Sequence, residues 1–147
     1  PRGVPLPISC NSSMAFLPSP NSANPASMAA AIETLALMGA DCRTIAVLGD
    51  MLELGPQAAA LHREVGRAVG DAGIDRLYVT GNFANDLADG AMQRQMAAER
   101  IFCATKDAII DNLNHRLRAG DLILVKGSRG MAMEQVVEAI CDRADDG

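Results

Sequence analysis

Two carboxylates follow a short apolar run in the first half of the chain. Residues 45–48 are Ile-Ala-Val-Leu, which is typical of a strand buried on both faces, and Asp50 and Glu53 come directly after it. Gly55 and Pro56 end this acidic loop (residues 49–55), and proline suits the first turn of a helix. Ligands bind at the carboxyl edge of open α/β sheets. The two carboxylates could bind a substrate ammonium, a metal ion or an arginine there, or they could only cap the loop.

A second loop of this kind follows an apolar run near the end of the chain. Lys126 closes the run 121–126, and a Gly-Ser-Arg-Gly turn that contains Ser128 and Arg129 leads into a helical pattern. This basic loop (residues 126–130) would bring free N–H groups of a helix start, a hydroxyl and two cations together. Such a set suits a carboxylate or a phosphate. A plain turn with a solvated lysine and arginine is the alternative.

Other chemically reactive residues are isolated in the sequence. His62 lies beside the apolar stripe of a predicted helix, where a half-buried structural histidine is favoured over a catalytic base. The four cysteines contain no CxxC pair, so we expect reduced, mostly buried thiols in a cytoplasmic protein rather than a zinc site. The chain has no dinucleotide fingerprint, ATP P-loop or nucleophile elbow. We therefore assign no catalytic residue and no metal ligand.

The elements that must position these residues alternate between strands and helices. The apolar runs predict strands over residues 44–48, 76–80, 100–104 and 121–126. The helical periods predict helices over about residues 25–39, 56–72, 83–98 and 105–120, and a last helix that carries Met133 to Ile140. Short connections between them favour right-handed crossovers. The predicted fold is α/β with three layers, a mostly parallel sheet with helices on both faces.

The first twenty residues differ from the rest of the chain. Five of the seven prolines lie there, so we expect an irregular leader over residues 1–20, at most a short edge strand over residues 14–17, and a domain over residues 21–147. The net charge of −5 disfavours nucleic acid or an anionic membrane as a partner. We find no apolar stretch long enough to span a bilayer and no signal peptide pattern.

Three segments together resemble the C-terminal domain of the Mur ligases. They are Ala-Asn-Pro-Ala-Ser-Met at residues 23–28, the acidic loop with His62 seven residues after it, and residues 123–137 around the basic loop. The resemblance extends over about residues 22–141. It implies a Rossmann-like third domain of a cytoplasmic ATP-dependent ligase of peptidoglycan synthesis. Within the family it is similar to the members that add D-Ala-D-Ala to UDP-MurNAc-tripeptide through an acyl phosphate.

The resemblance also implies roles for individual residues. N-terminal and central domains would bind the UDP-MurNAc-tripeptide, ATP and Mg, while this domain helps to hold the dipeptide and closes over the nucleotide. Asn24 corresponds to a residue near the nucleotide. The implied substrate-binding residues are Asp50, Glu53, His62, Lys126, Ser128 and Arg129. Without the other domains, this chain is expected to be inactive as a ligase.

One segment departs from the family pattern, and two other functions stay open. The family frame Asp-Asp-x-Tyr-Asn-Ala-Asn-Pro is replaced by Pro-Ser-Pro-Asn-Ser-Ala-Asn-Pro at residues 18–25, which predicts weakened nucleotide contacts. A receiver-type phosphoacceptor domain would use Asp50, Thr80 and Lys126. However, an additional strand is predicted between Thr80 and Lys126, and no acidic pair follows a first strand to hold magnesium. A flavodoxin-like domain that binds a small ligand is the other alternative.

Overall fold

The computed structural model describes residues 8–9, 14–17 and 23–146. In this part of the chain, the strands are β1 Ile8–Ser9, β2 Met14–Leu17, β3 Thr44–Leu48, β4 Arg76–Val79, β5 Ile101–Cys103 and β6 Asp121–Lys126. The helices are α1 Pro25–Met38, α2 Ala58–Ala72, α3 Ala84–Gln93, α4 Lys106–Arg116 and α5 Glu134–Asp146. Short 3-10 turns lie at Gly55–Gln57, Ala98–Arg100 and Arg129–Met131.

All six strands belong to one sheet, in the order β1-β2-β6-β3-β4-β5. Strands β2 to β6 pair in parallel, and only β1 is antiparallel to its neighbour β2. The chain moves outward from β3 through β4 to β5 and then returns to insert β6 beside β3. The strand order therefore reverses between β3 and β6, and such a switch point opens a crevice at the carboxyl edge.

Helices cover both faces of the sheet, as predicted. Alternating strand residues divide the core in two, because successive side chains of a strand point to opposite faces. On one face, Ala46 and Leu48 of β3 pack in the cluster that includes the buried residues of α1, α2 and α3. On the other face, Ile45 and Val47 pack with those of α4 and α5. β3 thus leads into a helix on one face and β6 into a helix on the other.

Helix ends follow local signals in the sequence. Asn24 caps α1 through a capping box in which its side chain accepts the Ser27 N–H at 2.9 Å and its own N–H donates to Ser27 Oγ at 3.0 Å. Thr105 caps α4 with its hydroxyl oxygen, which accepts the Ala108 N–H. Helix α3 is shorter than predicted, because Gln95 adopts a left-handed conformation with φ of 70°. Strands β3 and β6 have the predicted bounds.

Two expectations about the beginning of the chain and the thiols need correction. β2 is not an edge strand, since it pairs with β1 on one side and with β6 on the other. Met14–Leu17 contains no proline, so its ladder can form although prolines lie before and after it. Cys42 and Cys103 are free but exposed, and Cys141 is disulfide-bonded, contrary to the expected buried, reduced thiols.

No helix in the described part of the chain has the length and apolar character that a membrane span requires. The predictions for residues 1–7, 10–13, 18–22 and 147, including the proline-rich frame at residues 18–22, concern residues outside the described part of the chain. What the structure describes of the leader is therefore limited to β1 and β2.

The amino edge of the sheet is held by a paired arginine. Arg43 donates from Nε and Nη2 to the two carboxylate oxygens of Asp121 at 3.0 and 2.7 Å, and Nη2 also donates to the Arg116 carbonyl. The Asp121 side chain is only 2% exposed. The pKa of Arg43 is raised, first by its hydrogen bond to Asp121. This pair fixes the start of β6 beside the segment that enters β3.

Arg43→Met is expected to destabilise the fold by about 3 kcal/mol, because it leaves the buried Asp121 carboxylate without its cation. The matched control is Arg94→Met, which breaks the exposed Arg94–Asp71 pair and should cost less than about 1 kcal/mol. Urea unfolding of both variants gives the comparison. Equal losses of unfolding free energy would contradict a special role for the Arg43–Asp121 pair.

Candidate functional site

The acidic and basic loops meet at the switch point between β3 and β6. The ladder of these strands continues past their ends, with Gly49 N–H donating to the Lys126 carbonyl and Ser128 N–H to the Asp50 carbonyl, both at 2.9 Å. Ser128 Oγ then accepts the Leu52 N–H at 2.7 Å. The two loops therefore form one hydrogen-bonded unit at the carboxyl edge. This is the position predicted from the sequence.

Asp50 connects this unit to the loop after β4. Its two carboxylate oxygens accept the backbone N–H groups of Asn82 and Phe83 at 2.8 and 2.9 Å, and the residue is 2% exposed. Gly81 makes this approach possible, since a methyl group there would lie 2.5 Å from the carboxylate and its φ is 109°. Asp50 is thus a buried link between neighbouring strand ends.

His62 is fully buried and supports the acidic loop from below. Its Nε2 accepts the Met51 N–H at 2.9 Å, while Nδ1 lies 2.7 Å from the Ala58 carbonyl. These partners require the neutral tautomer that carries its proton on Nδ1. The ring also stacks on Phe83, with centroids 4.4 Å apart. The half-buried structural role favoured for the isolated histidine agrees with these contacts, although burial is complete.

Two side chains of opposite charge are exposed on this hydrogen-bonded unit. Glu53 lies in the acidic loop and Arg129 in the basic loop, and within the described residues neither forms an ion pair. Their loops touch, because Leu52 lies against Gly130. Glu53 has a φ of 62°, a left-handed conformation that is unfavourable for a residue with a side chain. The fold therefore holds a strained, charged residue at the exposed surface of the acidic loop.

Lys126 occupies a different environment from Arg129, although both were assigned to the same loop. It ends β6 and is 2% exposed, and burial lowers the pKa of its ammonium group. Ser128 is committed to the loop contacts described above. Of the basic loop, Arg129 is therefore the cation that is open to solvent.

Lys106 was not identified from the sequence. It is the first residue of α4, and its Nζ donates to the Met131 carbonyl and to Gln135 Oε1, both at 2.8 Å. The lysine thus connects the segment after β5 to the turn that contains Arg129. No local motif indicates this contact, because the partners lie 25 and 29 residues away in the chain.

Asn24 also lies toward the carboxyl edge of the sheet. The other end of α1 is at the amino edge, where Gly39 packs beside Thr44 and Leu122 at the starts of β3 and β6. A helix of 14 residues is about 21 Å long, so Asn24 is at the far end. Its side-chain oxygen caps α1. The contact that the resemblance implies between Asn24 and a nucleotide stays a prediction.

In the part of the chain that the structure describes, the arrangement gives no cradle for a metal ion. Among the described residues, no group of three His, Cys, Asp or Glu side chains is placed to hold a metal. Asp50, Thr80 and Lys126 do lie at the ends of the neighbouring strands β3, β4 and β6, as the receiver hypothesis requires. However, both oxygens of Asp50 already accept backbone N–H groups, so this carboxylate is not an open phosphate acceptor.

Lys126→Met is expected to remove a rise in stability at alkaline pH. The pKa of Lys126 in the folded state lies below its unfolded value of 10.5. At a pH between the folded and the unfolded pKa, the unfolded state therefore binds more protons than the folded state. The unfolding free energy increases with pH in this range, by at most about 1.4 kcal/mol per pH unit. Urea unfolding of both proteins from neutral pH to pH 10.5 measures the difference. A constant difference across this range would contradict the lowered pKa.

Gly81→Ala is expected to destabilise the chain more than Gly73→Ala. Both glycines have positive φ, at 109° and 73°, but no atom lies within 4 Å of a methyl group built on Gly73. The control Gly73→Ala should lower the unfolding free energy by about 1–2 kcal/mol through backbone strain. Gly81→Ala should lower it by about 1–3 kcal/mol more, because the new methyl group displaces Asp50. Thermal and urea unfolding give both values. Similar losses would show that the Asp50 contact can relax.

Comparison with known proteins identifies relatives for nearly the whole chain. It is 32% identical over 136 residues to UDP-N-acetylmuramoyl-tripeptide–D-alanyl-D-alanine ligase of Bacillus subtilis, covering 92% of this chain and 30% of that protein. The Escherichia coli ligase of the same name is 35% identical over 137 residues, which cover 92% of this chain and 28% of that protein. The chain thus spans about 30% of the length of the curated relatives that it matches.

Solved structures share the fold. MurF ligase from Thermotoga maritima in complex with ADP superposes with a TM-score of 0.74 at 24% identity, over 91% of this chain and 29% of that one. MurF from Acinetobacter baumannii superposes with a TM-score of 0.76 at 24% identity, over 97% of this chain and 30% of that one. Residues 21–129 match the family described as Mur ligase, glutamate ligase domain. The chain therefore belongs to the Mur ligase family, as its C-terminal domain.

Proposed function

We propose that this chain is the C-terminal domain of a ligase that joins D-Ala-D-Ala to UDP-MurNAc-tripeptide through an acyl phosphate. The names of the matched Bacillus subtilis and Escherichia coli proteins support this reaction. Because the chain spans about 30% of their length, N-terminal and central domains supply the rest of the active site. The isolated chain has no ligase activity in this proposal.

The observation that carries the proposal is the exposed pair of opposite charges at the switch point. Glu53 and Arg129 project from two loops that are hydrogen-bonded to each other. A dipeptide has an ammonium group at one end and a carboxylate at the other, so it matches such a pair. Arginine can grip a carboxylate through two parallel hydrogen bonds. We assign Arg129 to the dipeptide carboxylate and Glu53 to its ammonium group.

The other residues implied by the resemblance shape these loops. Asp50, His62 and Ser128 have backbone partners, so they hold the loops in register and act on the dipeptide through Glu53 and Arg129. Lys126 is buried beneath them, and its charge adds a positive potential that favours the carboxylate. This division gives every implied substrate-binding residue a role without requiring all six to contact the ligand.

ATP and magnesium belong to the other domains in this proposal. The described residues contain no three-ligand group for a metal, and the sequence has no P-loop. Asn24 is exposed and lies at the carboxyl edge of the sheet, where it could reach a nucleotide once the domains close. Its side-chain oxygen already caps α1, so we assign the amide N–H₂ group to that contact.

Neither alternative function is favoured. A receiver domain needs an open phosphoacceptor carboxylate, but both oxygens of Asp50 have backbone donors. A flavodoxin-like binding domain shares the general fold, yet the family match over residues 21–129 supports a ligase domain instead.

In a complete ligase, Arg129→Ala is expected to raise the KM for D-Ala-D-Ala by about ten- to a hundredfold, which corresponds to one charge-assisted hydrogen bond of about 1.5–3 kcal/mol. The KM for ATP should change little. Arg129→Lys should restore part of the loss, because an ammonium lacks the planar fork. Steady-state kinetics with each substrate varied in turn give these values.

The matched control is Arg118→Ala, which removes another exposed arginine, just before β6 at the amino edge of the sheet. It should leave the dipeptide KM unchanged. Unchanged dipeptide KM and kcat in a folded Arg129→Ala enzyme would show that Arg129 is only a solvated loop residue, and the proposed dipeptide site would be wrong.

A further inference from the structure

We propose that Lys106 is a positioning residue that holds the Arg129 turn in its ligand-binding conformation. This inference rests on the proposed function, because it concerns the same dipeptide site. Lys106 Nζ donates to the Met131 carbonyl and to Gln135 Oε1, both at 2.8 Å. The first bond is to the turn that begins with Arg129, and the second is to the first turn of α5. One ammonium group therefore ties the turn and the following helix to α4.

The turn needs an external support, because its backbone is strained. Ala132, which follows it, has a φ of 51°, in the left-handed region that residues with a side chain avoid. The bonds within the turn are local, from Met131 N–H to the Ser128 carbonyl and from Ala132 N–H to the Arg129 carbonyl. Strained backbone of this kind persists where the surroundings determine it.

The surroundings hold the turn from two sides. On one side, Ser128 is bonded to the acidic loop through its N–H and its Oγ. On the other side, Lys106 donates to the Met131 carbonyl, and the side chains of Met131 and Met133 pack beside Gly49. Arg129 lies between these two attachments, so its guanidinium is presented from a backbone that is fixed before and after it.

Lys106 is itself well placed to act as an anchor. It begins α4, where Thr105 caps the helix, and Ile109 and Leu113 of this helix are fully buried. The ammonium has three donors, and charged donors make stronger hydrogen bonds than neutral ones. A mobile surface lysine would not give a fixed point, but this one extends from a packed helix.

The first test is amide hydrogen exchange on the present chain. Lys106→Met should accelerate exchange at Met131 and Ala132 several-fold, while Ile45 and Val47 in β3 keep their protection. Lys106→Arg should restore part of the protection, because it keeps a charged donor. Unchanged exchange at Met131 and Ala132 in a folded Lys106→Met chain would overturn the proposal. This measurement involves no ligand, so it is independent of the dipeptide assignment.

The second test is a double-mutant cycle in the complete ligase. Lys106→Met should raise the KM for D-Ala-D-Ala about tenfold with a smaller effect on kcat, and this effect should disappear when Arg129 is already alanine, because coupled residues are not additive. The control Arg100→Met removes an exposed cation just before β5 and should change neither value. An equal rise in KM on both backgrounds would overturn the role through Arg129.

The two tests separate the failure of this inference from the failure of the proposed function. If Arg129→Ala leaves the dipeptide KM unchanged, the dipeptide site itself is wrong, whereas amide exchange at Met131 and Ala132 still decides whether Lys106 holds the turn. If Arg129→Ala raises the KM but Lys106→Met does not, the dipeptide site stands and the inference about Lys106 is overturned.

Discussion

The parallel pairing of β3 with β6 is the constraint on which the rest of the structure depends. These strands are neighbours in the sheet but leave it toward opposite faces, so the chain cannot fill the space between their ends. Their ladder instead continues into the two loops, where the Gly49 N–H donates to the Lys126 carbonyl and the Ser128 N–H donates to the Asp50 carbonyl. Buried backbone groups must be paired, and this requirement forces the acidic and basic loops together.

Polar residues at this edge divide into two classes by their exposure. Asp50 and His62 are buried, and their side chains are hydrogen-bonded to backbone groups of neighbouring segments, because an unpaired buried polar group is costly. Glu53 and Arg129 are exposed, and no described residue neutralises them. The buried class gives the loops their shape, and the exposed class gives them a charge pattern that a second molecule can meet.

The strained backbone in these loops lies beside segments that other parts of the structure hold in place. Glu53 and Ala132 have left-handed backbone conformations, and both lie next to segments that are held by contacts from other parts of the sheet edge. A free loop would relax to avoid this cost. The ends of three neighbouring strands, together with α4, supply the support. An exposed charge on a supported backbone loses little conformational freedom on binding, which favours affinity.

The sequence by itself determined the alternation of elements, the bounds of β3 and β6, and the caps at Asn24 and Thr105, because apolar runs and capping residues act over a few positions. Tertiary structure decided the rest. β2 gains two neighbours only when β6, more than 100 residues later, pairs with it. The partners of Asp50 and Lys106 likewise lie 25 or more residues away. Contacts between distant segments depend on how the sheet orders its strands, and no local pattern encodes that order.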